Sequence, residues 1–245
     1  MGKYILKRIA LAIVTIWAVA TITFFLMNLV PGGPFLSEKA ISPAATKALE
    51  AKYGLDKPMA ERYFTYISDA AHGDFGDSLK QRGRTVMDII ATKFPVSARL
   101  GGMAVVLALC VGVPLGVLAA YKRGTFIDSL FSVIATCGIA VPGFVICTLL
   151  LYVFGVKLQW LPTLGLKSAQ SYIMPVVALA AYPTSYIMRL MRSSMLDVLG
   201  QDYMRTAKAK GLSQKVSLFK HALRNAILPV ITYVGPMLAY TLTGS

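Results

Sequence analysis

A chain of 245 residues that is 56% hydrophobic and only 15% charged, with a mean hydropathy of +0.63, is not an ordinary soluble domain, which carries about 25% charged residues. Its formal net charge of +14 would suit a nucleic-acid binder, but the placement of the basic residues argues against that partner: they lie between long uncharged stretches rather than in one basic face. The three cysteines, Cys110, Cys137 and Cys147, all fall inside uncharged stretches and form no C-x-x-C pair. They read as small apolar packing residues rather than as metal ligands or a disulfide framework.

Residues 9–30, 100–121, 129–156, 168–188 and 225–245 contain no Asp, Glu, Lys or Arg, and the shortest of these stretches has 21 residues. About 20 residues of helix cross the roughly 30 Å hydrocarbon core of a bilayer. One Arg or Lys at its centre costs about 2.5–3.5 kcal/mol on insertion scales, which gives the missing charge a physical cause. The expected fold is an all-α integral membrane protein, one transmembrane domain over 1–245, with five spans at 9–30, 98–121, 129–156, 168–188 and 226–245. The first span is longer than a signal-peptide core and has no small-x-small cleavage site, so it is expected to stay.

Orientation follows from the cations. Lys3, Lys7 and Arg8 precede the first span, and Lys122 and Arg123 follow the second. Arg189, Arg192, Arg205, Lys208, Lys210, Lys215, Lys220 and Arg224, against Asp197 and Asp202, lie between the fourth and fifth. The positive-inside rule makes these regions cytoplasmic, with the N-terminus inside. Segment 31–97 is nearly balanced in charge and is expected outside.

In chain order, the outer segment predicts a helix from Ser42-Pro43 to Tyr53, with Gly54 just past its end. A second helix is predicted over 58–71, with Met59, Tyr63 and Ile67 on one face. Gly73, Asp74 and Gly76 give a turn, and a short third helix over 85–93 ends before Pro95. The spans themselves are interrupted: Gly112, Pro114 and Gly116 in the second, Gly138 and Pro142-Gly143 in the third, Pro175 and Pro183 in the fourth, and Pro229, Gly235 and Pro236 in the fifth. The third is too long for one straight helix and is expected to tilt, kink or break. Such interruptions suit a transport path, for which Pro142, Gly143, Tyr182 and Pro183 are the candidates. The alternative is ordinary kinking with small-residue packing.

No span carries an ionisable side chain at its middle, which argues against an ion-coupled, self-powered transporter. His72 and His221 stand alone, and no G-x-x-x-x-G-K-[ST], G-x-S-x-G or H-E-x-x-H motif occurs. No catalytic constellation is present, so the chain is not expected to be an enzyme.

The most polar stretch between two spans is the cytoplasmic loop 192–225. Residues 201–210 are rich in helix formers. Gly211 sits where a helix stops, and Ser213 is placed to cap a second helix running to Leu228 and Pro229. Tyr203-Met204-Arg205-Thr206-Ala207-Lys208-Ala209-Lys210-Gly211-Leu212, with His221-Ala222-Leu223-Arg224-Asn225-Ala226 and Leu228-Pro229, resembles the cytoplasmic loop of ATP-binding-cassette importer permeases. Arg205-Thr206-Ala207 fill the first three places of the family's Glu-Ala-Ala pattern, and Gly211 keeps its spacing. The absent Glu suits the dipeptide and oligopeptide branch. Leu6-Lys7-Arg8, Val30-Pro31-Gly32-Gly33-Pro34, His72-Gly73-Asp74-Phe75-Gly76 and Phe94-Pro95-Val96-Ser97 extend the resemblance over almost the whole chain, most like the B-type subunit of an oligopeptide importer.

The resemblance implies a permease of the bacterial cytoplasmic membrane. Its coupling helix, 203–212, would dock in a soluble ATPase through Tyr203, Met204, Ala207 and Leu212. It implies a second homologous permease, two ATP-binding-cassette ATPases and an extracytoplasmic peptide-binding protein as partners. No cofactor is expected on this chain, with ATP and Mg held by the ATPases. It also implies a sixth span beyond Thr243-Gly244-Ser245. Segment 31–97 would cap the outer mouth or help receive the binding protein. Rival readings are a relative importing dipeptides, nickel complexes or glutathione, and a membrane scaffold without transport.

Overall fold

The computed structural model describes residues 1–29, 54, 56–78, 81, 83–213 and 216–243. The expected helix from Ser42 to Tyr53, the Val30-to-Pro34 motif and the terminal Gly244-Ser245 lie outside the described residues. The helices in order are α1 (Gly2–Leu29), α2 (Met59–Ala71), α3 (Val86–Tyr121), α4 (Phe126–Ala140), α5 (Gly143–Leu150), α6 (Ile173–Leu199), α7 (Asp202–Ala209), α8 (Leu223–Ala226) and α9 (Leu228–Thr243). A wide π turn, Leu151–Lys157, continues α5; a 3₁₀ turn, Ala169–Tyr172, leads into α6; a second π turn, Ser217–Ala222, leads into α8. Among the described residues the only extended pairing is an isolated bridge between Asp77 and Thr85. The fold is all-α, as the composition predicts.

Three helices are long and apolar enough to cross a membrane, and five spans result if each of two bent pairs counts as one. The predicted third span is broken: Phe126–Ala140 and Gly143–Lys157 meet at 102°. Pro142 explains the break, because it lacks an N–H and its extended backbone (ψ 139°) carries the chain out of α4. The fifth bends by 46° between Ser217–Ala226 and Leu228–Thr243. By contrast, the short helix expected over 85–93 does not end before Pro95. It forms the first turns of α3, which runs on through Pro95 and Pro114. A proline costs one backbone bond, and a long apolar helix retains the rest. The start is as expected: the Asp88 N–H donates to Thr85 Oγ1 at 3.0 Å, and the Thr85 N–H points back to Asp88 Oδ2 at 3.4 Å.

Where the sequence suggests one domain, the contacts group into two compact units, Met1–Lys93 and Phe94–Ser245. In the first, α2 meets α1 through Tyr63, on the face predicted from its spacing. Tyr63 shares a 2.8 Å hydrogen bond with Thr21, and Phe24 lies 5.5 Å from the Tyr63 ring and 5.6 Å from Tyr66. Arg62 Nη2 donates to Asn28 Oδ1 at 2.6 Å.

In the second unit α6 is central, and glycines approach it from two sides. A Cβ at Gly112 would lie 2.8 Å from the Thr184 carbonyl oxygen, and one at Gly116 would lie 2.6 Å from both the Met188 carbonyl oxygen and Met191 Cβ. On α4, Gly138 leaves room for the Ser185 side chain. These glycines therefore serve close packing, the alternative that small residues in spans always offer. The core they admit joins Ala108 and Val117 of α3 to Ile187, Met191 and Met195 of α6, and extends to Leu218, Ala222 and Val230.

Candidate coupling loop and translocation face

The loop after α6 is built from local signals. Gly200 follows the last turn of α6, and Asp202 opens α7, where a carboxylate complements the helix dipole. The helix then stops as predicted. Gly211 adopts φ +78°, and the Leu212 N–H reaches back to the Ala207 carbonyl at 3.3 Å. That bond over a left-handed glycine is a Schellman stop, which glycine makes at little steric cost. Past it, the Ser217 N–H, at the start of the second π turn, donates to the Ser213 carbonyl at 3.0 Å.

The two faces of α7 differ from the expectation. Met204 (1% exposed) and Ala207 (7%), three residues apart on one face, are buried. Met204 belongs to the same core as Met191, Met195, Leu218 and Ala222. Of the four expected docking anchors, these two are already used within the chain. Tyr203 (42%) and Leu212 (38%) remain exposed, as do Arg205, Thr206, Ala209, Lys210 and Gly211; Lys208 lies on the same helix. Asn225 Nδ2 donates to the Tyr203 hydroxyl at 2.9 Å and ties α7 to α8. The exposed Asp202–Arg205 pair at 3.4 Å contributes little.

One strong interaction was missed by sequence reasoning. Asp128, 6% exposed at the start of α4, accepts from Arg192 of α6 at two points, Nε to Oδ1 at 2.6 Å and Nη2 to Oδ2 at 2.8 Å. The Gly124 N–H adds a third bond to Oδ2 at 3.1 Å. The loop between α3 and α4 is thus fastened to α6 ten residues before α7 begins. The signal that could have found it is modest: Asp128 is the only acid bordering the third uncharged stretch.

The candidate path residues separate as well. Pro142 and Gly143 are exposed at the break between α4 and α5, and Tyr182 is exposed on α6. Pro183 is fully buried and does not line a surface. Tyr182 instead joins a row of tyrosines. It lies 6.3 Å from Tyr186 and 6.5 Å from Tyr240, and Tyr186 lies 4.4 Å from Tyr233. The row spans α6 and α9 and offers ring faces and hydroxyls without formal charge. Tyr233 and Tyr240 were not singled out from the sequence, because nothing local pairs them with Tyr182 and Tyr186.

The family model for the binding-protein-dependent transport system inner membrane component matches residues 112–245, and the model for the N-terminal part of such membrane components matches residues 1–101. The chain belongs to this family. The permease is 44% identical to the oligopeptide transport system permease protein OppB of Salmonella typhimurium, over all of this chain and 81% of that protein. It is 42% identical to OppB of Escherichia coli K12, with the same coverage. It is also 44% identical to the dipeptide transport system permease protein DppB of Bacillus subtilis, over all of this chain and 80% of that protein. The permease is a multi-pass protein of the bacterial inner membrane.

Proposed function

We propose that this permease is the membrane-spanning subunit of an ATP-driven importer that carries oligopeptides inward. The names of its relatives supply the cargo class. The observation that carries the mechanism is the division of the coupling segment, with Met204 and Ala207 of α7 buried in the chain's own core and Tyr203 and, just past the helix, Leu212 exposed towards a partner. ATP and Mg bind to two partner ATPases, and the exposed side of 203–212 sits in a groove on one of them. Since Met204 of α7 shares one core with Met191 and Met195 of α6 and with Leu218 and Ala222 of the 217–222 turn, displacement of α7 moves both. The tyrosines on α6 and α9 then shift against a second, homologous permease, and peptide from an extracytoplasmic binding protein passes between the two subunits. Segment 31–97 caps the outer mouth or helps receive that binding protein.

The test is uptake of labelled peptide in cells carrying Gly211→Val. The position has φ +78° and nothing within 4 Å of an added Cβ, so the change strains the corner by about 1–2 kcal/mol without a clash. Uptake is expected to fall sharply while the permease stays in the membrane and co-purifies with its ATPases. Wild-type uptake would count against coupling through the corner. A dipeptide cargo is the second reading, favoured by the 44% identity to the Bacillus subtilis protein; uptake of a dipeptide against a tetrapeptide separates the two.

A further inference from the structure

An open groove of about 720 Å³ lies between the C-terminal half of α3 and the chain that follows α7, within the roughly 300–1,000 Å³ of small-molecule sites. Val113, Val117 and Leu118 form one wall; Leu218, Phe219 and Leu223 form the other. These walls give water few partners, so an apolar occupant is favoured there. The groove is not apolar throughout its surroundings. Tyr121, the last residue of α3, lines it together with Ser213, and Lys122 Nζ lies 5.5 Å from the Tyr121 ring centroid. Lys220 directly follows Phe219. Lys122 and Lys220 are both exposed, and neither pairs with an acid among the described residues.

We infer that this groove holds one anionic phospholipid of the inner leaflet. An acyl chain fills the aliphatic walls and removes their area from water. The phosphate and its net negative charge meet Lys122 and Lys220, which pair with no acid among the described residues. Tyr121 sits at the level where tyrosines favour the boundary between headgroups and chains. A zwitterionic lipid fits the walls equally but brings its own cation to the same two ammonium groups. An apolar protein helix would cover the walls and leave both lysines unpaired. The site is distinct from the tyrosine row and from the exposed side of α7, and it requires only that the chain be in a membrane, not that it carry peptide.

The experiment is native mass spectrometry of the full transporter, purified with its own partners and exchanged into detergent with phosphatidylglycerol or phosphatidylcholine. The wild type is expected to retain one phosphatidylglycerol, preferred about tenfold over phosphatidylcholine if Lys122, against the lining Tyr121, and Lys220, next to the lining Phe219, both meet the headgroup. Leu118→Trp, which fills the groove, should lose the retained lipid; Val106→Trp, on an exposed part of α3 outside the groove, should keep it. Lys122→Gln with Lys220→Gln leaves the walls intact, so lipid should remain while the preference falls to near parity. Equal retention of the two lipids by the wild type, or unchanged retention in Leu118→Trp, would overturn the site. A benzophenone side chain in place of Phe219 identifies the occupant: capture of phospholipid supports the inference, and capture of a polypeptide overturns it.

Discussion

Helices α1 and α3 are about equally apolar, yet they are used in opposite ways. α1 buries none of its residues, whereas 44% of the most apolar window of α3 is buried. The difference lies in side-chain size. α1 is dense in Ile and Leu, adds Trp17, Phe24 and Phe25, and has no glycine after Gly2, and α3 carries Gly101, Ala104, Ala108, Gly112, Gly116, Ala119 and Ala120 on its buried side. Hydropathy reports what lipid will accept; small residues report where another backbone can come close.

Four substitutions sharpen or break that contrast. Gly116→Leu has the largest expected effect, because a Cβ there already falls 2.6 Å from the Met188 carbonyl oxygen and Met191 Cβ. A loss of about 3 kcal/mol or more is expected, seen as a collapse of the folded fraction in thermal unfolding of the detergent-solubilised protein. A normal melting curve would mean that α3 and α6 are not held at this distance. Asp128→Asn follows. It leaves Arg192 half-covered without its carboxylate, and with Arg192 30% exposed the expected loss is about 2 kcal/mol. Restoration by the exchange Asp128→Arg with Arg192→Asp would assign the effect to the pair rather than to either residue. Gly102→Ala is the internal control on α3. An added Cβ there meets nothing within 4 Å, so stability should stay level or rise by up to about 1 kcal/mol from helix propensity. Ile13→Ala on α1, 61% exposed, should change stability by less than about 0.5 kcal/mol. A large loss there would reveal a partner for α1.

What was legible in the sequence follows the same division. Each of the five uncharged stretches falls on one of the three helices or two bent pairs that are long and apolar enough to cross a membrane, because hydrocarbon excludes charge whatever a helix packs against. Gly211 was legible for a similar reason: the need for a left-handed backbone belongs to one residue. The broken third span was legible in Pro142, although not its 102° angle. The inward face of α7 was not legible, since the neighbours that bury Met204, such as Met191 and Leu218, lie at a distance along the chain. Asp128 and Arg192 are 64 residues apart and carry no local mark of their pairing. Pro95 misled because a proline stops an isolated helix more readily than one in a long apolar run. Pro183 misled in another way: it marks an irregular helix, and burial decides which side of that helix meets the path.

The π turn at Ser217–Ala222 bears on how the loop between the last two spans can vary in length. Its closing N–H, on Leu223, reaches the carbonyl of Leu218, five residues back, so the turn holds one residue more than an α-helical turn needs. Deleting one residue there lets the stretch rewind as plain α-helix while α8 and α9 keep their rotation. The same deletion within a regular helix turns everything beyond it by about 100°. The loop thus carries a spare residue at a place where its loss leaves Tyr233 and Tyr240 still facing Tyr186 and Tyr182.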